Sequence, residues 1–420
     1  MKTVPTMRAR DKAIIATAVR RHGPLSRVEI VSLAQLRPAT ISHLVRELLD
    51  EGTLEEAGLS DNPTGRKQTL LRVNERAGAI VALDFDAESV VAAVLDLHPR
   101  ILGHPVREQT DLSGGVDALA AQLIRCARQA IENHGGSWHS VKGIGVGDPG
   151  IVDAKAGISV VASTIDFWRG VHLRERLELE FGLPVIVGNN TRNKALAERK
   201  SATNPGCRDM IFVEYGTGIG AGIVSGGNLL EGHRWAAGEF GHTHIVENGP
   251  PCKCGSFGCL EAIAGISALE GRIRGAIREG GHSQCLEMAE GEVEKITGWM
   301  VLEGAAKGDK MAAAIVEDLG NSLGLGIANL VNLFNPEIVI LDQRLGLAGE
   351  ALLDQIKRVV RRQALSHGAE ALSYEFGKLG IEAGIIGAGL LVLEQIFEVP
   401  LLKPPAFLTA GFSRKVASRP

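Results

Sequence analysis

One histidine and three cysteines crowd into a single short stretch, GEFGHTHIVENGPPCKCGSFGCLE, at residues 238–261. The imidazole of His242 and the thiolates of Cys252, Cys254 and Cys259 form a closed tetrahedral set for zinc, with no ligand position left open for catalysis. The C-x-C-G-x-x-G-C spacing puts Gly255 and Gly258 where a tight loop can turn the sulfurs onto one ion. Three buried thiols in a loop would not account for the histidine. The expected metal is structural zinc, and its task is to fix Glu239, His242 and Glu261 around something else.

Such a loop needs a scaffold. At 420 residues the chain is too long for one small core, so two or three domains are expected. The formal net charge of -4 is mild but unevenly distributed. Residues 1–75 carry 12 Lys and Arg against 9 Asp and Glu, and the remainder carries 33 against 40. A mildly basic head on an acidic body suits a nucleic-acid module joined to a globular domain. The six cysteines do not make a disulfide scaffold: outside the loop, Cys126, Cys207 and Cys285 are scattered, as in a reducing cytoplasm. The opening MKTVPTMRARDK lacks the apolar run of a signal peptide. The most apolar late stretch, residues 385–393, falls well short of the roughly 20 residues of a membrane-spanning helix. A cytoplasmic protein is expected.

The head, residues 8–75, reads as three short helices and a hairpin. Ser26 with Glu29 three residues on is a capping-box pattern for the second helix. Pro38 suits a first helical position, and Ile41, Leu44, Val45, Leu48 and Leu49 then form an apolar stripe. The other face offers Thr40, Ser42, His43 and Arg46, the short polar and basic groups a recognition helix carries into a major groove. A turn-rich piece over 53–56 precedes a hairpin wing whose tip places Arg66 and Lys67 against phosphate or the minor groove. A helical protein-interaction domain with a solvated basic hairpin is the plainer reading. It leaves the order of helix, tight turn, amphipathic helix and basic wing unexplained.

From residue 79 the pattern becomes strand-rich. Strands are expected at 79–85, 90–97, 101–106, 141–146 and 185–187, with helices over 116–133 and 173–181. A hairpin over 210–224 encloses Gly216-Thr217-Gly218-Ile219. A long helix over 311–334 and a strand at 338–341 follow. Strands and helices alternate in both halves, which favours an α/β fold in two lobes with ligand at the carboxyl ends of the strands.

The segments GVGDPGIVD, EYGTGIGAGIV, GEFGHTHI, CKCGSFGCLE and LGIANLVNLFNPEIVIL, together with the head, resemble the ROK family (repressors, open reading frames and kinases) in its transcription-regulator form. The resemblance implies a winged helix-turn-helix followed by a two-lobed actin-like (ribonuclease H-like, sugar-kinase) domain, usually in a dimer or tetramer. The lobes would span 78–190 and 191–383, with a C-terminal helix at 384–398 completing the first.

The chain departs from the family kinases where they handle ATP. The kinase strand ending Asp-Ile-Gly-Gly-Thr-Lys reads here Asp84-Phe85-Asp86-Ala87-Glu88-Ser89, and a late Gly-Gly is replaced by Asp342-Gln343. Two added carboxylates would repel a triphosphate. The surviving glycines of residues 216–220 then read as a tight turn rather than a phosphate cradle. Asn190 stands where the kinases carry the aspartate that takes the sugar hydroxyl's proton, and an amide has no usable basicity. No ATP use is therefore expected. Asn189, Glu239, His242 and Glu261 match the family's sugar-contacting positions, with Asn190 as a fifth. Thr164 replaces a sugar-contacting asparagine found in many members. Support of the zinc loop is the plainer role for Glu239 and Glu261. These readings converge on a sugar-responsive regulator, a repressor that binds operator DNA and takes a sugar or sugar phosphate as effector. Alternatives are an active ATP-dependent sugar kinase fused to a DNA-binding module, and a DNA-binding protein whose sugar site is a relic.

Overall fold

A computed structural model of the protein describes residues 7–61, 67–203 and 206–397. The head folds from helices Met7–His22, Arg27–Ala34 and Pro38–Asp50 and a three-stranded sheet of Leu25–Ser26, Thr69–Val73 and Leu54–Leu59. The capping box forms: Glu29 N donates to the Ser26 hydroxyl, and Ser26 N donates to the Glu29 carboxylate at 2.8 Å. Ile41, Leu44, Val45 and Leu48 bury with Ile14, Ile15, Ile30 and Leu71 in one small core. The piece read as turn-rich is instead a strand, because Leu54, Glu55 and Glu56 pair with Val73, Arg72 and Leu71.

The body is built on two five-stranded sheets. In the first, Val185–Asn189, Val141–Asp148 and Ala79–Phe85 run parallel, and Ser89–Leu95 and Ile101–Gln109 continue antiparallel. Both faces of the Ala79–Phe85 strand are covered, so it reads as an apolar run interrupted only by Asp84. Val81, Leu83 and Phe85 pack toward helix Gly115–His134, while Ile80 and Ala82 pack toward helix Glu382–Ile396.

The second sheet orders Asn228–Leu229, Ile219–Ser225, Met210–Tyr215, Ile338–Leu341 and Ser373–Phe376. The long helix Lys310–Phe334 and helix Glu350–Gln363 share its core. A small sheet of Ile151–Asp153, Ile158–Val161 and Arg169–Val171 extends the first lobe. Helix Asn190–Ser201 lies between the large sheets, with Ala195 in a cluster with Met210 and Phe212, and Ala197 in the cluster of Ala388 and Val392. The backbone carbonyl of its Asn193 approaches Gly387 so closely that a Cβ there would sit 2.1 Å away, which lets the two helices touch. Among the described residues, no helix is long and apolar enough to cross a membrane.

Candidate functional site

The four predicted ligands meet. Cys252 Sγ lies 3.7 Å from His242 Nδ1 and Cys254 Sγ lies 3.8 Å from Cys259 Sγ; all four donor atoms fall within 4.8 Å of one another. A tetrahedral ion with metal–sulfur bonds of about 2.3 Å requires donor–donor edges of roughly 3.8 Å, so the set fits one metal ion. Bridges between His244 and Cys259 and between Pro251 and Phe257 fold the loop back on itself. Helix Leu260–Ala264 starts directly after Cys259 and carries Glu261.

That loop forms one wall of a cavity of about 70 Å³, where four strands end: Asp86, Pro149, Asn189 and Gly216 each follow or close a strand and line it. Asn189, Asn190, Glu239, His242 and Glu261 all line it, as does Thr164. Their availability differs. Asn189 caps the helix after it, accepting from Arg192 N at 3.0 Å and donating to Gly150 O at 3.0 Å. Asn190 is buried, with its Oδ1 2.8 Å from Thr191 N. One Glu261 oxygen accepts from Ile219 N at 2.9 Å.

Glu239 makes no side-chain hydrogen bond or ion pair among the described residues. It is open to the solvent of the cleft, yet desolvation by the surrounding protein raises its carboxyl, against the pull of His242 and Arg192. The Thr164 hydroxyl is fully buried and has no hydrogen-bond partner among the described residues. A buried hydroxyl without a partner costs free energy unless something supplies one. His242 presents Nδ1 to the sulfurs, leaving Nε2 for the cavity that the ring lines.

The neighbouring part of the cleft is filled by its own charges. Lys194 is buried and ion-paired with Glu214, and stands 3.8 Å from Asp84. Burial pushes Asp84 up to about 7 despite Lys194. Burial also works against Glu214, but Lys194, the Thr191 hydroxyl and Arg344 together hold it below its usual value. Arg344 donates to Tyr215 O at 2.7 Å, pairs with Asp342 at 3.1 Å, faces Glu88 at 3.8 Å and lies 4.6 Å over the Trp299 ring. A Cβ at Gly216 would come within 2.8 Å of that guanidinium, and one at Gly220 within 2.8 Å of the Thr191 hydroxyl. The glycine turn thus makes room for protein side chains. Sequence reasoning missed Lys194, Glu214 and Arg344; only their facing partners, Asp84, Glu88 and Asp342, stood out in it.

Helix Asn190–Ser201 runs from this cleft toward the head, and the polar contacts with the head itself are made by Glu394 and Phe397 at the end of helix Glu382–Ile396. Near its start, Arg192 donates to Glu231 O and Trp235 O of the opposing loop. Further on, Glu198 accepts from the backbone of Lys378 and Leu379. At its end, Lys200 is exposed, yet desolvation by the surrounding protein and the charge of Arg20 in the head lower its ammonium to about 8. Beside it, Arg20 and Arg21 pair with Glu394 at 2.7 and 3.2 Å, and the Thr17 hydroxyl donates to Phe397 O at 2.6 Å.

On the head, Ser42, His43 and Arg46 are exposed and Thr40 is half-buried, all on helix Pro38–Asp50. His43 Nε2 lies 2.8 Å from Glu47, whose carboxyl is held down to about 2 by hydrogen bonds from Arg8 and Lys12. Lys67 is exposed two residues before the second wing strand; Arg66 lies outside the described residues.

A winged helix-turn-helix on a two-lobed, actin-like sugar-kinase fold defines the class. Residues 80–395 match the ROK family model, and the chain belongs to that family. It is 30% identical over 393 residues to a putative xylose repressor of Caldicellulosiruptor sp. (strain Rt8B.4), covering 93% of this chain and 97% of the relative. Its fold is similar to the crystal structure of a ROK family transcriptional regulator described as a homolog of the E. coli MLC protein, with TM-score 0.79 and 26% identity, covering 96% of this chain and 99% of that one. A ROK family glucokinase from Streptomyces griseus, solved with glucose and AMPPNP, matches with TM-score 0.67 and 31% identity over 75% of this chain and 99% of its own. The kinase match leaves a quarter of this chain uncovered; the regulator match spans nearly all of it.

Proposed function

We propose that this chain is a sugar-responsive transcriptional repressor whose kinase-like domain binds its effector without phosphorylating it. Operator DNA would be read by Thr40, Ser42, His43 and Arg46, with Arg66 and Lys67 on the wing, in a cytoplasmic homodimer or homotetramer. Glu239, His242 and Glu261, with Asn189 and Asn190, would hold the sugar, and the zinc of the His242, Cys252, Cys254 and Cys259 set would fix that wall. The zinc is structural: it contributes rigidity and no open coordination position. Asn190 supplies no general base, and the charges of Asp86, Glu88, Lys194 and Arg344 occupy the space a triphosphate would need. The lobes would meet near 190–191, with the C-terminal helix completing the first.

The observation that carries this reading is helix Asn190–Ser201, whose start lines the polar cavity and whose end, at Lys200, lies beside the ion pairs that Arg20 and Arg21 of the head make with Glu394 of helix Glu382–Ile396. A sugar bridging Asn189 and Glu239 would change lobe closure, shift this helix, and alter the spacing of two heads on DNA. Half-sites are read at a fixed separation of one helical turn, so a shift in spacing costs affinity.

The test is operator binding by the purified chain, titrated with a panel of hexoses, pentoses and amino sugars. An effective sugar weakens binding at least several-fold in wild type, and Glu239→Gln needs roughly 10–100 times more of it, the worth of a hydrogen bond to a charged group. Absence of any specific DNA binding, or formation of a phosphorylated sugar from ATP, sinks the proposal. For the metal, one zinc per chain is expected by elemental analysis, and Cys259→Ser should remove it and lower the melting temperature by roughly 5–10 °C.

A further inference from the structure

The polar cavity opens into a larger one of about 520 Å³. The two share Pro149, Ser163, Glu239 and His242, so the two groups assigned to the sugar stand at a junction rather than at the end of a closed pocket. The inner space is small. At roughly 10–15 Å³ per water position it seats only a handful of waters, a volume suited to the polar groups of one ring. The outer space is several times larger, which one ring would leave mostly to water.

The lining of the outer cavity has a particular chemistry. Ile151 and Val161, from two strands of the small sheet, give it an aliphatic side. Asp166, Arg169 and Lys253 give it polar groups of both signs, and none of the three makes a side-chain hydrogen bond or ion pair among the described residues. A sugar ring has apolar C–H faces and hydroxyls that both donate and accept. An aliphatic side with a mixed-sign rim matches that pattern. A phosphate would match Arg169 and Lys253 but would be set against Asp166 and Glu239.

Resting on the reading of the inner cavity as a sugar site, we infer that the effector is longer than one ring. It is a disaccharide or glycoside, with one ring at Glu239, His242 and Glu261 and a second, uncharged unit in the outer cavity against Asp166, Arg169 and Lys253. Specificity for the second unit then resides in the small sheet and the zinc loop.

Calorimetry on the full-length chain tests this with matched ligands: xylose and xylobiose, glucose and cellobiose, N-acetylglucosamine and its β-1,4 dimer, and glucose 6-phosphate. In at least one pair the disaccharide should bind about tenfold or more tighter than its monosaccharide, the worth of one or two hydrogen bonds to charged groups. Asp166→Ala and Arg169→Ala, both exposed and so compatible with folding, should lower that ratio toward one. Three results overturn the inference while leaving the sugar site in place: equal or tighter binding of every monosaccharide, tightest binding of the 6-phosphate, or a ratio unmoved in the double variant. Silence toward all seven ligands removes the sugar reading itself, and the inference with it.

Discussion

Around Glu239 and Thr164 the cleft leaves a carboxylate and a buried hydroxyl without hydrogen-bond partners among the described residues, while beside them Lys194 pairs with Glu214 and Arg344 with Asp342. Both regions lie between the same lobes and share Asp86 and Arg344 in their walls. The first leaves Glu239 open to a partner from outside; the second is paired except at Asp84, one of whose buried carboxylate oxygens also has no hydrogen-bond partner among the described residues. A polar site that binds a ligand must carry unmet hydrogen-bonding capacity in its free state, whereas a polar cluster that only joins two lobes is most stable fully paired. The comparison separates a pocket with unmet polar groups, which the proposed function reads as a sugar site, from a neighbouring cluster of ion pairs.

The largest effect expected from breaking this contrast is at Lys194. Lys194→Met leaves Glu214 and Asp84 facing each other without their buried counter-charge, which should cost about 3–5 kcal/mol of stability. Urea denaturation followed by tryptophan fluorescence measures it, and a loss under about 1 kcal/mol would mean that the network does not hold the lobes.

A pH series sharpens the same side. Asp84 is raised to about 7 by burial, against an unfolded value of about 3.9. Between these values the folded chain holds a proton that the unfolded chain has released, so this group's contribution falls as pH rises and is constant above about 7. Asp84→Asn carries no such proton. Its stability relative to wild type should therefore climb from about pH 4 to 7 and then level off. A flat or falling difference across that window would contradict the assignment.

The smallest effect probes the other region. Thr164→Val keeps the shape and removes the buried, unpartnered hydroxyl, so stability should stay level or rise by roughly 1 kcal/mol. A marked loss of stability would show that the hydroxyl is satisfied within the protein and that the cavity is less open than its geometry implies.

Much of the fold was legible because its signals are local. The stripe from Ile41 to Leu48 carries its own helical period, and the capping box at Ser26 and Glu29 requires only residues three apart. Strand 79–85 and the helix at 311–334 follow from largely apolar stretches, and the helix at 173–181 from the four-residue spacing of Leu173, Leu177 and Phe181. The Leu54–Leu59 strand was obscured by Glu55, Glu56 and Gly58, residues that disfavour strands, and is fixed by pairing with Thr69–Val73. The run from Asn190 to Lys194 is a starker case: its residues are polar and would ordinarily mark a solvated face, yet all five are buried.

The sequence by itself determined the donor types of the metal set and the periodic cores of the head and lobes, because identity and short spacing suffice for both. It also marked Asp86, Glu88 and Asp342 as departures from a phosphate site, since like charges repel in any conformation. Only the tertiary structure decided what neutralises them. Lys194 and Arg344 are 150 residues apart and reach the same acids from different elements, and a Coulomb interaction depends on distance in space, which no spacing along the chain encodes. The same holds for Thr164: whether a hydroxyl is satisfied depends on every neighbour at once, and those neighbours are assembled only by the fold.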